Sequence, residues 1–280
     1  MKVAVLTDST SDIHGEMETR LGVTVVPLYV NFQNQVRKDY LEIKTGDIFN
    51  GVKNGAAMPS TSQPTPADFQ REYERLLQTH DHVLSVHLSS KLSGTYASAE
   101  LASREFPGKV TVFDSEVASG SLAMMVERAT RLLQSGSSLS DVVGTLERVR
   151  KLTDLRFSVA SLDFLKKNGR IGGAQALIGG LLGIKPILHL REGRVEAAGR
   201  ERGPRAALEN CIKNLREYKA KHGDVRATYI YTDKLEDADA LRQAGKDLGV
   251  HEFAVLQAGA VIASHVGPGT YGVLAEPVKV

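Results

Sequence analysis

The chain has 280 residues with 35 Lys and Arg against 33 Asp and Glu, a net charge of +2, so no general attraction to nucleic acid is expected. Hydrophobic residues make up 42% and charged residues 24%, the balance of an ordinary soluble chain of about two domains. The one cysteine, Cys211, excludes an intramolecular disulfide and fits a reducing cytoplasm.

In chain order, strands are expected at Val3–Thr7, Thr24–Val30, His82–Val86 and Val110–Phe113. Helices are expected at Pro66–Gln78, Ala97–Phe106 and Ser121–Gln134. Strands alternating with helices imply right-handed βαβ units and a parallel, Rossmann-like sheet. The style changes near Thr153–Ser161. A glycine-rich segment, Asn168–Gly173, is followed by a hairpin from Lys185–Leu190 to Arg194–Ala198, turning at Glu192-Gly193. A helix Pro204–Lys219, a strand Ala227–Tyr231, a helix Leu235–Asp247 and a strand Glu252–Gln257 complete the second half. The fold class is therefore α/β, with an N-terminal domain over 1–155 and a smaller C-terminal α/β domain over 156–280. The apolar start, Val3–Leu6, is too short for a signal peptide. The longest apolar region, 174–190, is interrupted by Lys185, Pro186 and glycines and falls short of the ~20 residues of a membrane span.

The chemistry lies in loops. Leu6 is followed by Thr7-Asp8-Ser9-Thr10-Ser11-Asp12, and Val112-Phe113 by Asp114-Ser115-Glu116. Ligands of open α/β sheets sit outside the carboxyl ends of strands. Leu92-Ser93-Gly94-Thr95-Tyr96 lies where a strand turns into a helix. The unpaired N–H groups and positive dipole end there suit an anion, with Ser93 and Thr95 as added hydroxyl donors; a plain capped turn gives the same pattern. Pro59-Ser60-Thr61-Ser62-Gln63-Pro64-Thr65-Pro66 presents further hydroxyls on a proline-stiffened loop. Thr65-Pro66 is explained as a helix cap, whereas Thr61, Ser62 and Gln63 are not. His265 ends a short helical run, Ala260–Ser264, and Arg170 sits among glycines that permit close approach. Gly267–Gly272 matches G-x-G-x-x-G, but neither a helix nor a partner strand is expected after it so near the C-terminus, and no acidic residue comes about twenty positions later. A dinucleotide site is therefore rejected. His80, His82 and His87 match no metal motif, so no metal is expected.

Asp8-Ser9-Thr10-Ser11-Asp12, Thr61-Ser62-Gln63-Pro64, Leu92-Ser93-Gly94-Thr95-Tyr96, Gly169-Arg170-Ile171 and His265-Val266-Gly267-Pro268-Gly269 together resemble the DegV family of bacterial fatty-acid-binding proteins, from the first strand to the last loop. Two departures stand out. Gln33-Asn34-Gln35 replaces a frequent aspartate-glycine turn, and Ile13-His14 follows the first acidic loop where the family often has proline. The resemblance implies a two-domain DegV-like fold with one long-chain fatty acid between the domains. The carboxylate would meet Thr61 and Ser93, flanked by Ser62, Gly94 and Thr95, with Arg170, His265 and Gly267 completing the site. It implies no cofactor, no catalysis by the chain itself and a cytoplasmic location. It also implies an ATP-dependent fatty acid kinase subunit as partner, docking at a basic region that includes Arg202, with transient contact to a membrane surface. Small residues in Ala176–Leu182 would leave room for an acyl chain or serve ordinary close packing. Burying about fifteen methylenes at ~0.8 kcal/mol each yields roughly 12 kcal/mol gross, whereas a hydroxyl bond to a carboxylate contributes about 1.5–3 kcal/mol. The tail is therefore expected to supply affinity and the polar residues orientation. The alternatives are a serine hydrolase or acyltransferase using Ser93 as nucleophile and His265 as base, and a phosphate binder using the same helix start.

Overall fold

The computed structural model describes residues 1–179 and 183–280. The first strand, β1 (Val3–Asp8), is an apolar run buried from its second residue on. It ends in a 3-10 turn, Ser9–Ser11, where Asp8 accepts from the Thr10 N–H. Helix α1 (Glu16–Leu21) stops at Gly22, whose left-handed φ of 65° closes the last turn. The expected strand Thr24–Val30 is two strands. Pro27 has no N–H for a ladder, so β2 (Thr24–Val26) stays beside β1 while β3 (Tyr29–Phe32) joins another sheet. β3 turns into β4 (Gln35–Lys38) through Gln33 and Asn34, both with positive φ, as a two-residue hairpin of the right twist demands. Then follow α2 (Thr45–Lys53), β5 (Ser60–Ser62) and α3 (Pro66–Leu77). α3 starts where expected, with Thr65 and Asp68 capping each other and Pro66 in the first turn.

β6 (His82–His87), α4 (Thr95–Ser103), β7 (Val110–Asp114), α5 (Gly120–Gln134) and α6 (Leu139–Leu152) complete the first half. The main sheet runs β2-β1-β6-β7 and is parallel throughout. Phe69 and Tyr73 of α3 and Ala99 of α4 pack with Leu6 and Val83 in one apolar layer. Leu122 of α5 and Val142 and Leu146 of α6 pack with Leu84 and Val86 in the other. A small antiparallel sheet, β4-β3-β5, lies apart from it.

The second half runs β8 (Asp154–Ser158), α7 (Asp163–Lys167), β9 (Ile184–Arg191), β10 (Arg194–Arg202), α8 (Pro204–His222), β11 (Val225–Tyr231), α9 (Leu235–Asp247), β12 (His251–Gln257), α10 (Ala260–Val266) and β13 (Tyr271–Pro277). Its six-stranded sheet has the order β10-β9-β8-β13-β11-β12, with β11 and β12 parallel and the other pairs antiparallel. β13 corrects the expectation that no strand follows the Gly267–Gly272 loop. It is buried along its whole length between β8 and β11, so it shows none of the alternation that marks a half-exposed strand. Gly272 makes the insertion possible, since a Cβ there would lie 2.7 Å from the Arg156 carbonyl oxygen. Of the Ala176–Leu182 stretch, Ala176 and Leu177 close a 3-10 run that begins at Gly172, while Gly180, Leu181 and Leu182 lie outside the described residues. No helix among the described residues is long and apolar enough to cross a membrane. Cys211 is buried in α8, and burial pushes its thiol up to about 12, so it is no nucleophile at neutral pH.

Candidate functional site

A cavity of about 100 Å³ lies between the loops that follow the parallel strands and the six-stranded sheet. Its walls are apolar and come from many elements: Leu28, Leu88 before α4, Leu155 of β8, Leu190 of β9, Ile230 of β11 and Ile262 of α10. Thr61, Ser93, Arg170 and His265 all line it as well.

These four polar residues form a connected set. Thr61 sits on β5 and His265 on the last turn of α10; Thr61 Oγ1 and His265 Nε2 are 2.8 Å apart. The other ring nitrogen, Nδ1, is buried with no partner among the described residues. Burial and the nearby Arg170 guanidinium push His265 down to about 4, so the ring is neutral at pH 7. Arg170 is pinned by Nε to the Leu92 carbonyl at 2.9 Å and by Nη1 to the Asn168 carbonyl at 2.7 Å. Asn168 Nδ2 in turn donates to the Ser264 carbonyl at 2.8 Å, which ties the arginine loop to α10. Ser93, next to Leu92, pairs with Thr95 Oγ1 at 2.9 Å and accepts from the Thr95 N–H at 3.3 Å. Ser93 therefore tops the start of α4, which begins at Thr95, two residues earlier than its apolar pattern implies. The set offers hydroxyls, a helix start and one guanidinium to an anion in a cavity lined mostly by apolar residues.

The remaining expected residues lie beside this set and do not line the cavity. Ser62 pairs with Tyr29 in the small sheet. Gly94 admits Gln63, whose Nε2 would be 2.6 Å from an added Cβ, so the two hydroxyl loops pack together. Gly267 has φ 76° and leaves α10 against the Phe164 ring, 2.6 Å from where a Cβ would stand. Sequence reasoning missed Asn168 and every apolar wall residue, because the wall is assembled from separate elements and no spacing announces it. The Ser93–His265 relay of the hydrolase alternative has no support in this geometry. His265 spends Nε2 on Thr61, and no carboxylate faces Nδ1 among the described residues. The histidines at the two ends of β6 are structural. His87 bridges Asp8 at 2.9 Å and Ser85 at 2.6 Å, fully buried, and His82 meets Thr111 at 2.9 Å.

Two buried carboxylates, Asp12 and Asp39, accept from backbone N–H groups at the start of α10. Burial pushes Asp12 up to about 6 and Asp39 up to about 7, above the ~3.9 of an unfolded aspartate. Between those values the folded state keeps protons that the unfolded state has lost. Their contribution to stability is full below about pH 4 and is lost as pH rises through 6 to 7. His265 acts oppositely: its contribution is full above about pH 6.5 and is lost as pH falls toward 4. Asp39→Asn is expected to remove its share of the aspartate slope. Relative to the parent, urea unfolding should show the variant gaining on the order of 3 kcal/mol between about pH 5 and pH 8. A parent–variant difference independent of pH would contradict this.

A model of the DegV family, described as uncharacterised proteins, matches residues 2–278. The chain belongs to the DegV family. A DegV domain-containing protein of Deinococcus radiodurans is 47% identical over 280 residues, the whole of both chains. Among solved structures, a DegV-family protein of Thermus thermophilus described for its fatty acid binding superposes with a TM-score of 0.96 at 51% identity, covering 99% of this chain and all of the other. DegV of Bacillus subtilis, described as a fatty acid binding protein, gives a TM-score of 0.88 at 31% identity over 99% of each chain. The same fold thus extends over 99% of this chain in both solved relatives.

Proposed function

We propose that this DegV chain binds one long-chain fatty acid in the cavity between its two main sheets. The carboxylate lies at Thr61 and Ser93 with Arg170 and His265 alongside. The observation that carries the reading is the convergence of Thr61, Ser93, Arg170 and His265, distant in sequence, on one cavity whose remaining lining is mostly apolar. Fatty acid binding by DegV relatives of the same fold supports it. A neutral His265 leaves the single positive charge of Arg170 to meet the carboxylate. No cofactor enters this reading. Native mass spectrometry of the purified chain, followed by solvent extraction, tests it. A stoichiometric mass excess that extracts as a fatty acid is expected; a chain at its bare mass that takes up no added fatty acid would overturn it.

Because the tail supplies most of the affinity, Ser93→Ala is expected to weaken binding only about tenfold, near 1.4 kcal/mol. Titration calorimetry with palmitate checks this, and complete loss of binding in a folded variant would contradict it. We further propose that the bound carboxylate is presented to an ATP-dependent kinase partner. Arg202, exposed at the end of β10, is the proposed contact. Arg202→Glu is expected to slow acyl-phosphate formation with a cognate kinase while leaving fatty acid affinity intact. An unchanged rate would remove Arg202 from the interface.

A further inference from the structure

Helix α10 has seven residues, and Val261, Ile262, His265 and Val266 all face the cavity. In sequence it links two strands of the six-stranded sheet. Its start, however, is held by the first forty-five residues. The Gly259 N–H donates to Asp12 Oδ1 at 3.0 Å, and the Val261 N–H to Asp39 Oδ1 at 3.4 Å. Thr45 Oγ1 donates to the Ala258 carbonyl at 2.6 Å. The Tyr40 hydroxyl donates to Asp12 Oδ1 at 2.9 Å, and its ring lies where a Cβ of Gly259 would be. The far oxygens are fixed in turn: Ser119 donates to Asp12 at 2.5 Å and Ser9 to Asp39 at 2.9 Å.

We propose that Asp12 and Asp39 are positioning residues for the head-group end of the cavity, fixing the start of α10 and so holding His265 against Thr61. Both carboxylates are 1% exposed, and no cation pairs with either among the described residues. Burying a carboxylate without a cation is costly. Here the positive end of the helix and its unpaired N–H groups compensate, an arrangement that neutral caps would supply more cheaply if stability alone were served. From Val261 to His265 is one turn, about 6 Å of rise, so a shift at the clamp reaches the imidazole undiluted. Asp8 lies beside the pair, and His14, Glu18, Tyr40 and Lys44 face them across the adjoining cleft. The inference rests on the fatty acid reading for its purpose, but not for its test.

The test is the imidazole signal of His265 in ¹⁵N-histidine-labelled protein, followed with pH in the absence of ligand, together with palmitate affinity. In Asp39→Ala, the His265 midpoint is expected to rise from about 4 toward the ordinary histidine range, and palmitate Kd to rise about tenfold, near 1.4 kcal/mol. Asp39→Asn keeps an acceptor for the Val261 N–H and should restore both. Should Asp39→Ala not fold, Asp39→Ser, whose hydroxyl still serves Ser9 but falls short of Val261, is read in the same way. Weaker binding with an unmoved His265 signal would overturn the proposal, as would parent affinity in a folded variant. A parent chain that takes up no fatty acid would sink the head-group reading alone, since the His265 signal is read without ligand.

Discussion

Ile262→Trp is expected to raise the Kd for a long-chain fatty acid at least a hundredfold while leaving the chain folded. Ile262 is partly buried on α10, lines the cavity and touches the apolar layer under the parallel sheet. An indole there occupies space that an acyl chain would otherwise fill. Excluding about four methylenes at ~0.8 kcal/mol each removes roughly 3 kcal/mol, and every 1.4 kcal/mol is about tenfold in affinity. The indole lies in space that is unfilled without ligand, so the overpacking strain of a closed core is largely avoided. Native mass spectrometry should show the bare chain, and the thermal midpoint should stay within a few degrees of the parent. Retained stoichiometric lipid would mean that the tail runs elsewhere. A comparison with Ser93→Ala separates the two contributions: the head-group variant keeps lipid and loses orientation, whereas the wall variant loses lipid outright.

The parallel sheet was legible because apolar runs and helical stretches alternate from Val3 to Gln134, and that order leaves few topologies. α9 occupies the expected residues, Leu235–Asp247, because its polar flanks and apolar stripe coincide. Elements without such a signature were hidden. β5 is only Ser60-Thr61-Ser62 and reads as a loop. α2 carries two glycines in nine residues, which weakens any helical pattern. β13 is buried on both faces and shows no period. At the candidate site, Thr61, Ser93, Arg170 and His265 were visible as hydroxyls, a guanidinium and an imidazole in turn-rich loops. What no spacing shows is that Thr61 and His265, 204 residues apart, share a hydrogen bond. The loops at strand ends point to where a ligand binds, while its apolar envelope is a property of packing. Asp12 and Asp39 illustrate the same limit. Each reads as an acidic loop residue, yet both are almost wholly buried, because the backbone N–H groups that compensate their charge come from the other end of the chain.

Glu276→Ala is expected to destabilise the chain by about 3–5 kcal/mol, a large share of the 5–15 kcal/mol typical of a folded domain. Glu276 lies on β13 and is fully buried. Its Oε1 accepts from Arg128 Nη2 at 2.6 Å and from Arg226 Nε at 2.8 Å. Arg128 belongs to α5 and is 3% exposed, while Arg226 on β11 also reaches Glu127 at 2.5 Å. Removing Glu276 leaves two guanidiniums facing each other, with only Glu127 among the described residues to offset them. Losing one member of a buried ionic set costs far more than the set contributes over an apolar replacement, because the remaining charge stays desolvated. Glu276→Gln keeps an acceptor without the charge and should cost less than Glu276→Ala. Urea unfolding near pH 7 gives both values, and a loss below about 1 kcal/mol for Glu276→Ala would show that water reaches the arginines. The position of this network matters for the cavity. α5 packs against the parallel sheet through Leu122 and against the six-stranded sheet through Met124, so Glu276 fastens a helix that both layers share. Loosening it should also weaken palmitate binding, in step with stability, whereas Asp39→Ala should weaken binding with a signature at His265 that Glu276→Ala lacks.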